Sequence, residues 1–358
     1  MMSTWAEHVW KTLEKQGIVQ GIRPENGSPD SPWYVKALLG FSGWLAAVFI
    51  IGFIGAGFQS IFKDRIALSV VGIIMIAVAY VLLHIPKNEF MEHMALAASL
   101  AGQVLLVIAI FKITKHNKPA AWMFLAFIQV ALAVLMPNFV HRVFSSFIAA
   151  LAFTMTFNEM DIPYVVSGII MFITALCWLN EFKIPKHMKK IRAVGYGFTL
   201  ALIVLKGASL FASRGIGLDF TEKQGMLWGH PWMGEIITGL VMIYVVWILL
   251  QRYGLTFHDR TAIACLIAAI LVCAVSMKVQ GITVGIVILL LGFSGSNRVL
   301  MGLGIISLLF YISSYYYMLD TTLLKKSMIL FIVGIVLLGV RWVMLRFVLL
   351  QKEVHHVE

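Results

Sequence analysis

The sequence predicts an all-α protein, a polytopic transmembrane helical bundle of about 10–12 spans. Of its 358 residues, 60% are hydrophobic and 13% are charged, and the mean hydropathy is +0.91. Soluble domains usually carry about 25% charged residues. Apolar runs follow one another from residue 35 to residue 350, each about long enough to cross a bilayer. The polar segments between them are too short to form a soluble catalytic domain.

Residues 1–34 form the predicted cytoplasmic N-terminal segment. Thr4 and Glu7 have the spacing of a helix capping box, and the apolar residues that follow recur with a helical period. A linker rich in turn-forming residues occupies 24–32. We interpret this segment as an amphipathic helix on the membrane surface or against the bundle, with a docking helix for a soluble partner as the alternative.

The transmembrane bundle is predicted over residues 35–350, followed by a tail at 351–358. The tenth span is short for a bilayer and is either re-entrant or tilted with its neighbour. The fourth and fifth are divided only by Pro137 and Asn138, so they are either two spans or one broken helix pair. The predicted spans are 35–58, 66–83, 94–111, 119–136, 139–157, 163–179, 193–211, 235–250, 261–277, 280–293, 298–319 and 327–349.

The basic residues predict the orientation of the chain. With twelve crossings both termini lie on one side, which receives sixteen of the lysines and arginines in the connections, against ten on the other. Because cytoplasmic connections are enriched in lysine and arginine, both termini are expected in the cytoplasm. The net charge of +11 is scattered over short connections. It therefore gives no folded basic surface for nucleic acid.

Lys206 and Glu235 are the candidate functional residues of the membrane interior. Lys206 lies near the end of the seventh span and Glu235 at the start of the eighth, so both fall towards the same membrane face. A charge within a span is expensive and indicates a functional site by default. The alternative is that Lys206 extends along its helix to water while Glu235 caps its own helix.

Other residues are candidates for structural or partner contacts. Gln103, Gln129 and Arg341 lie within spans and are candidates for polar contacts in the bundle, although Arg341 is also placed to reach the interface. A rim for a partner is predicted at the aromatic residues of the loop 212–234 and of the eleventh span. These residues are Trp228, Trp232, Tyr315, Tyr316 and Tyr317.

The sequence contains no convincing catalytic or metal-binding pattern. Gly-Phe-Ser-Gly occurs at 40–43 and 292–295, but an intramembrane serine nucleophile needs a histidine on another span as its base. His84 and His141 fall at span ends, and the other histidines fall in connections or tails. We therefore predict a protein that is not an enzyme and holds no metal or cofactor.

Several segments resemble a family of bacterial multi-pass inner-membrane proteins of unknown function. The resemblance is carried by residues 32–36, 38–47, 97–103 and 315–327, with Gly334 and Arg341 beyond them. It implies a multi-pass fold in the bacterial inner membrane and a companion membrane protein with a GDYxxLxY motif encoded nearby. It implies no catalytic residues.

The sequence and the resemblance together predict an integral membrane protein, surrounded by lipid, that is not an enzyme and acts with such a companion. A transporter or channel for a small solute or lipid is the alternative. It is ranked second because the sequence shows few polar groups near the middle of its spans.

Overall fold

The computed structural model describes most of the predicted bundle. It covers residues 32–57, 63–84, 89–115, 117–162, 164–212, 231–256, 258–277, 280–318 and 322–328, shorter stretches at 330–332, 334–335, 338–339 and 341–342, and residues 12 and 14. These residues form helices and no strand, which confirms the all-α prediction. Most of the predicted N-terminal helix, the loop residues 213–230 and the tail 351–358 lie outside the described residues.

The helices of the described residues follow the predicted spans to within five residues at each end. A 3-10 turn, Pro185–His187, precedes the seventh, and the predicted twelfth span is described only in part. In chain order the helices are α1 Trp33–Gly57, α2 Arg65–Leu82, α3 Glu89–Thr114, α4 Lys118–Leu135, α5 Phe139–Glu159, α6 Val165–Leu179, α7 Met188–Ala212, α8 Pro231–Arg252, α9 Arg260–Ser276, α10 Ile282–Ser294 and α11 Arg298–Met318.

The length and apolar character of these helices identify a multi-pass membrane protein. Seven of them, α2, α3, α4, α5, α7, α8 and α11, are long and apolar enough to cross a bilayer. Four shorter apolar helices accompany them: the Leu45–Gly57 part of α1, and α6, α9 and α10.

The Pro137-Asn138 break produces two helices that pack side by side. Proline has no N–H to donate into a helix. Asn138 then caps α5, because its Oδ1 accepts a hydrogen bond of 3.0 Å from the backbone N–H of His141. The alternative of one broken helix therefore does not hold: α4 ends, the chain turns, and α5 runs back along it.

Polar contacts between helix ends define two faces of the bundle. At one, called face A, Glu181 at the end of α6 pairs with Arg192 of α7, and Tyr196 of α7 donates to Asn297 before α11. At the other, face B, Lys118 at the start of α4 pairs with Glu159 at the end of α5. Successive helices therefore alternate in direction, so that the odd-numbered helices begin at face A and the even-numbered ones at face B.

The largest core forms around α10. Val284, Val287, Ile288 and Leu291 of this helix are buried among side chains of α6, α7, α8 and α11. The close approach of α11 depends on Gly304, where an added Cβ would lie 2.8 Å from the backbone nitrogen of Leu289. Since α10 is enclosed by protein, a polar group at its N-terminus is shielded from lipid.

Candidate functional site

Lys206 and Glu235 lie in contact inside the bundle. Lys206 is in the last two turns of α7 and Glu235 in the second turn of α8, both near face B. Lys206 Nζ donates a hydrogen bond of 2.7 Å to Glu235 Oε1, and both side chains are buried. The two residues therefore form an ion pair, which differs from the alternative of a lysine that extends to water.

The second carboxylate oxygen of Glu235 is bound from α9. Ser276 Oγ donates a hydrogen bond of 2.9 Å to Glu235 Oε2, and the same Oγ accepts one of 3.3 Å from the backbone N–H of Thr283 in α10. Lys206 and Ser276 therefore donate to the two oxygens of the Glu235 carboxylate, and the start of α10 donates to Ser276. Lys206, Glu235, Ser276 and Thr283 are called the Glu235 site.

α10, whose N-terminus contacts the Glu235 site, is short. The helix has 13 residues, which gives a length of about 20 Å, whereas a bilayer has a hydrocarbon core of about 30 Å. Its C-terminal end is at face A, where the hydrogen bond between Tyr196 and Asn297 lies. Its N-terminus contacts Ser276, which in turn donates to Glu235.

Gly281 and Tyr311 fix the start of α10. Gly281 has φ +93°, a backbone conformation that side chains rarely adopt, and a Cβ there would lie 2.8 Å from the ring of Tyr311. Tyr311 is fully buried, and its hydroxyl donates a hydrogen bond of 3.1 Å to the backbone oxygen of Ile203 on α7. The first turn of α10 is thereby held against the helix that carries Lys206.

A second buried polar cluster, the His141 network, connects α3, α4 and α5. It consists of His141, Ser99, Gln103, Gln129 and Ser145, all of them buried. Nε2 of His141 lies 2.7 Å from Ser99 Oγ and 3.0 Å from Gln103 Nε2. Gln129 Nε2 donates a hydrogen bond of 3.0 Å to Gln103 Oε1. Both glutamines predicted to make polar contacts in the bundle therefore belong to one network.

Both ring nitrogens of His141 have contacts. Nε2 contacts Ser99 and Gln103 of α3, and Nδ1 lies 3.2 Å from Ser145 Oγ, one turn further along α5. Since Gln103 also accepts from Gln129 of α4, the network connects three helices.

Arg142 lies next to this network. The residue is 6% exposed, and its Nε is buried without a hydrogen-bond partner among the described residues. No carboxylate of the described residues lies within ion-pair distance of its guanidinium. The nearest acidic residue in the hydrogen-bond network is the exposed Glu92, which accepts from Asn138 Nδ2 one turn before Arg142.

The sequence reasoning missed the role of His141, which it placed at a span end. His141 is the third residue of α5, where a side chain would be expected near the membrane surface, yet it is only 1% exposed. The sequence feature that indicates this role is spacing. On α3, Ser99 and Gln103 are four residues apart and share one helix face, and the same holds for His141 and Ser145 on α5. That spacing does not reveal that the two faces meet.

The remaining predicted residues lie nearer the surface. Arg341 is exposed, so it makes no buried contact in the bundle, which agrees with the alternative that it extends towards the interface. Trp232 begins α8 and Tyr315–Tyr317 end α11, so both segments lie at face B. Tyr317 is 81% exposed, while Tyr315 packs against the main core. Trp228 lies outside the described residues.

The described residues do not gather a metal-binding group. No cluster of three histidine, cysteine, aspartate or glutamate side chains occurs among them. Ser99 and His141 are in hydrogen-bond contact as a nucleophile and a base would be, but Ser99 has no exposed surface. What these arrangements offer chemically is a buried charge pair beside the N-terminus of a short helix, and a buried polar network around His141.

Comparison with known proteins identifies a family. No curated protein and no solved structure matches the chain. Residues 32–347 match a family described as a domain of unknown function, DUF4401. The match runs from the start of α1 past the end of α11 and covers both polar clusters. The chain therefore belongs to the DUF4401 family.

Proposed function

We propose that this protein is a proton-coupled transporter of a small solute and that the Glu235 site is its coupling element. The observation that carries the proposal is the carboxylate of Glu235, bound by Lys206 and Ser276 beside the N-terminus of the short helix α10. Secondary transporters bind substrates and coupling ions at the ends of helices that stop short of crossing the membrane. The number of buried polar groups also favours transport over the function predicted first from the sequence.

The site supplies the two states that transport requires. With Glu235 ionised, its carboxylate joins the ends of α7 and α9 to the start of α8 near face B. Protonation of Glu235 removes the attraction for Lys206, and the free ammonium group then has to reach water or another anion. The Glu235 contact links α7 to α8 near face B, so its loss favours separation of these two helices there. A proton taken up at Glu235 thus opens the bundle at one face.

Proteoliposomes test this proposal. The purified protein is reconstituted with a pH-sensitive dye inside, and amino acids, carboxylates, sugars and nucleosides are added outside in turn. One solute class is expected to move protons across the membrane in the wild type and not in Glu235→Gln, which keeps the shape of the side chain and loses its charge. Lys118→Met serves as the matched control, since Lys118 pairs with Glu159 at an exposed position. Equal proton movement in wild type and Glu235→Gln, or none with any class, contradicts the proposal.

A second candidate function is partnership with a companion membrane protein. The observation that favours it is the aromatic rim at face B, where Tyr317 is 81% and Trp232 is 40% exposed. Aromatic residues are enriched at membrane interfaces and also at protein–protein contacts. The companion would be the GDYxxLxY-motif protein that the family resemblance implies, and it would contact the rim and the loop between α7 and α8.

Co-purification tests the partnership. Both proteins are expressed together, and the tagged DUF4401 chain is isolated in mild detergent. Recovery of the companion is expected with the wild type and is expected to fall with Tyr317→Ala and Trp232→Ala combined. Phe293→Ala, at an exposed aromatic residue of face A, is the control. Isolation of the chain without the companion, or equal recovery with all variants, counts against this function.

A further inference from the structure

We propose that the Glu235 site binds one small organic anion of single negative charge, such as a carboxylate or a sulfonate, each time Glu235 takes up a proton. This inference names the substrate class of the site and therefore rests on the proposed function. In the structure Lys206 Nζ lies 2.7 Å from Glu235 Oε1, and the two residues are 5% and 3% exposed. One positive and one negative charge are thus buried together and balance each other.

A proton taken up from water changes this balance by one charge. It forms an O–H bond on the Glu235 carboxylate, which becomes a neutral acid, while Lys206 keeps its positive charge. A buried ammonium group without a partner is highly unfavourable. An anion of single charge that enters as α7 and α8 separate restores neutrality. A neutral solute leaves Lys206 unpaired, and a dianion replaces the excess positive charge by an excess negative one.

The other titratable groups around Glu235 leave this balance unchanged. Cys273 of α9 and Tyr311 of α11 are close enough to interact with the charge of Glu235. Tyr164, before α6, packs against Gly234, the residue next to Glu235. Thiols and phenols carry no charge at neutral pH. Among the described residues, no second carboxylate lies within ion-pair distance of the lysine of the site.

Thr283 and the start of α10 supply donors for the oxygens of an anion. Thr283 has no exposed surface, and its Oγ1 is buried without a hydrogen-bond partner among the described residues. Its backbone N–H donates to Ser276 Oγ, which itself donates to the Glu235 carboxylate. The hydroxyl without a partner therefore belongs to a residue that is already part of the site.

The position of this residue in α10 favours an anion further. The intrahelical hydrogen bonds of α10 begin with the N–H of Gly285, which donates to Gly281, so the N–H groups of the first turn have no partner within the helix. Such N–H groups bind anions, and in transporters the N-termini of discontinuous helices bind the anionic groups of substrates. The ring of Tyr311 packs against Gly281, which leaves room for a small ligand only.

Binding to the purified full chain in nanodiscs of zwitterionic lipid tests the inference. The probes are methanesulfonate and acetate, each compared with its uncharged amide of similar shape, methanesulfonamide and acetamide. A ligand that binds the folded state raises the unfolding temperature, which gives its affinity. A pH-sensitive dye in weakly buffered solution counts the protons taken up for each anion that binds.

At least one anion should stabilise the wild type saturably with uptake of one proton, and its amide should not. The affinity should then rise about tenfold for each unit by which the pH falls, while Glu235 is ionised in the protein without ligand. Glu235→Gln has no carboxylate to protonate and should bind that anion more tightly than the wild type at neutral pH. Absence of binding by both anions, equal binding of anion and amide, or binding without proton uptake overturns the inference.

Two further variants test the residues that hold the anion. Thr283→Val keeps the shape of the side chain and loses its hydroxyl, so it should weaken binding about threefold to tenfold. Lys206→Met combined with Glu235→Gln removes the cation and should abolish binding. Lys118→Met, at an exposed ion pair, is the matched control and should bind as the wild type does. If the double variant does not fold, Thr283→Val and Glu235→Gln still have to change the affinity in opposite directions, and equal affinities overturn the inference.

The result also separates this inference from the proposed function. Proton movement driven by a sugar or a nucleoside in proteoliposomes, without anion binding in nanodiscs, would keep transport and overturn the anion as its substrate. Anion binding with proton uptake in a protein that moves no solute would support the anion site and contradict transport.

Discussion

At the scale of single residues, two buried basic side chains differ in their partners. Lys206 pairs with Glu235, and Ser276 donates to the second oxygen of that carboxylate. Arg142 has no carboxylate within ion-pair distance among the described residues. The charge of Lys206 is therefore matched inside the bundle, which makes its pairing with Glu235 a contact whose contribution to stability can be measured.

The Lys206–Glu235 pair should stabilise the folded protein strongly, and the effect of losing one residue should depend on whether the other is present. Lys206→Met leaves a buried carboxylate with Ser276 as its remaining side-chain donor, so the variant should lose about 3–5 kcal/mol of unfolding free energy. The double variant Lys206→Met with Glu235→Met removes both charges and should recover most of that loss. Unfolding in increasing concentrations of a denaturing detergent, followed by circular dichroism, measures the free energy of unfolding of each variant.

The exposed pair Lys118–Glu159 provides the control. Its charged atoms are 3.9 Å apart, and the lysine side chain is largely exposed. Because solvent screens such a pair, Lys118→Met should change the unfolding free energy by no more than about 1 kcal/mol. Similar losses for Lys118→Met and Lys206→Met would show that the buried pair has no special role.

The His141 network gives a prediction about hydrogen bonds instead of charge. Gln103→Leu removes the acceptor of Gln129 and one of the donors to His141. A buried polar group left without a partner costs about 1–3 kcal/mol, so this variant should be destabilised by an amount in that range. The same denaturation measurement applies. Gln251→Leu, at an exposed position of α8, should show no comparable loss, and equal effects would exclude the network as a stabilising element.

At the scale of the helices, close crossings depend on glycine. The contact between α2 and α3 brings Gly72 and Gly102 together, and an added Cβ on either would lie less than 3.0 Å from the backbone oxygen of the other. Glycine allows helix backbones to approach in a membrane, where packing must replace the hydrophobic effect. The same approach of α5 to α7 occurs at Gly197, beside the oxygen of Val143.

Alanine at the α2–α3 crossing should separate these two helices. At Gly102 the added Cβ would lie 2.7 Å from the oxygen of Gly72, so Gly102→Ala should cost about 1–3 kcal/mol through overpacking. Gly302→Ala in α11 meets nothing within 4 Å. Since alanine favours helix over glycine by about 0.5–1 kcal/mol, the second variant should be neutral or stabilising. Thermal unfolding in detergent compares them, and a stable Gly102→Ala protein would contradict this account of the crossing.

At the scale of the whole molecule, the sequence predicted the helices well and their contacts less well. Runs of apolar residues define where a span begins and ends, because a helix must satisfy its own backbone in lipid. The Lys206–Glu235 contact could be predicted from the sequence, because consecutive antiparallel spans place the end of one beside the start of the next. His141 and Ser99 lie on α5 and α3, which are not consecutive, and no spacing in the sequence states which of many helix faces meet. The sequence predicted the short length of α10, but it did not predict that other helices enclose it.

The alternation of the helices makes a prediction about the topology in cells. Residues 186 and 296 both lie at face A, separated by four helices, whereas residue 115 lies at face B. Basic residues are abundant in the connections of face A, so the positive-inside rule puts face A in the cytoplasm. With Cys177, Cys265 and Cys273 replaced by alanine, single cysteines at Lys186, Ser296 and Lys115 report the side of each connection.

A membrane-impermeant maleimide should label Lys115→Cys in intact cells, and it should label Lys186→Cys and Ser296→Cys only after the membrane is permeabilised. All three positions are exposed, so access to the reagent depends on the side of the membrane and not on burial. Labelling of positions 186 and 296 from opposite sides would mean that one of the helices between them does not cross as the fold requires. Labelling of both from outside would keep the fold and reverse its orientation. The Glu235 site, at face B, would then take up protons from the cytoplasm instead of from the external space.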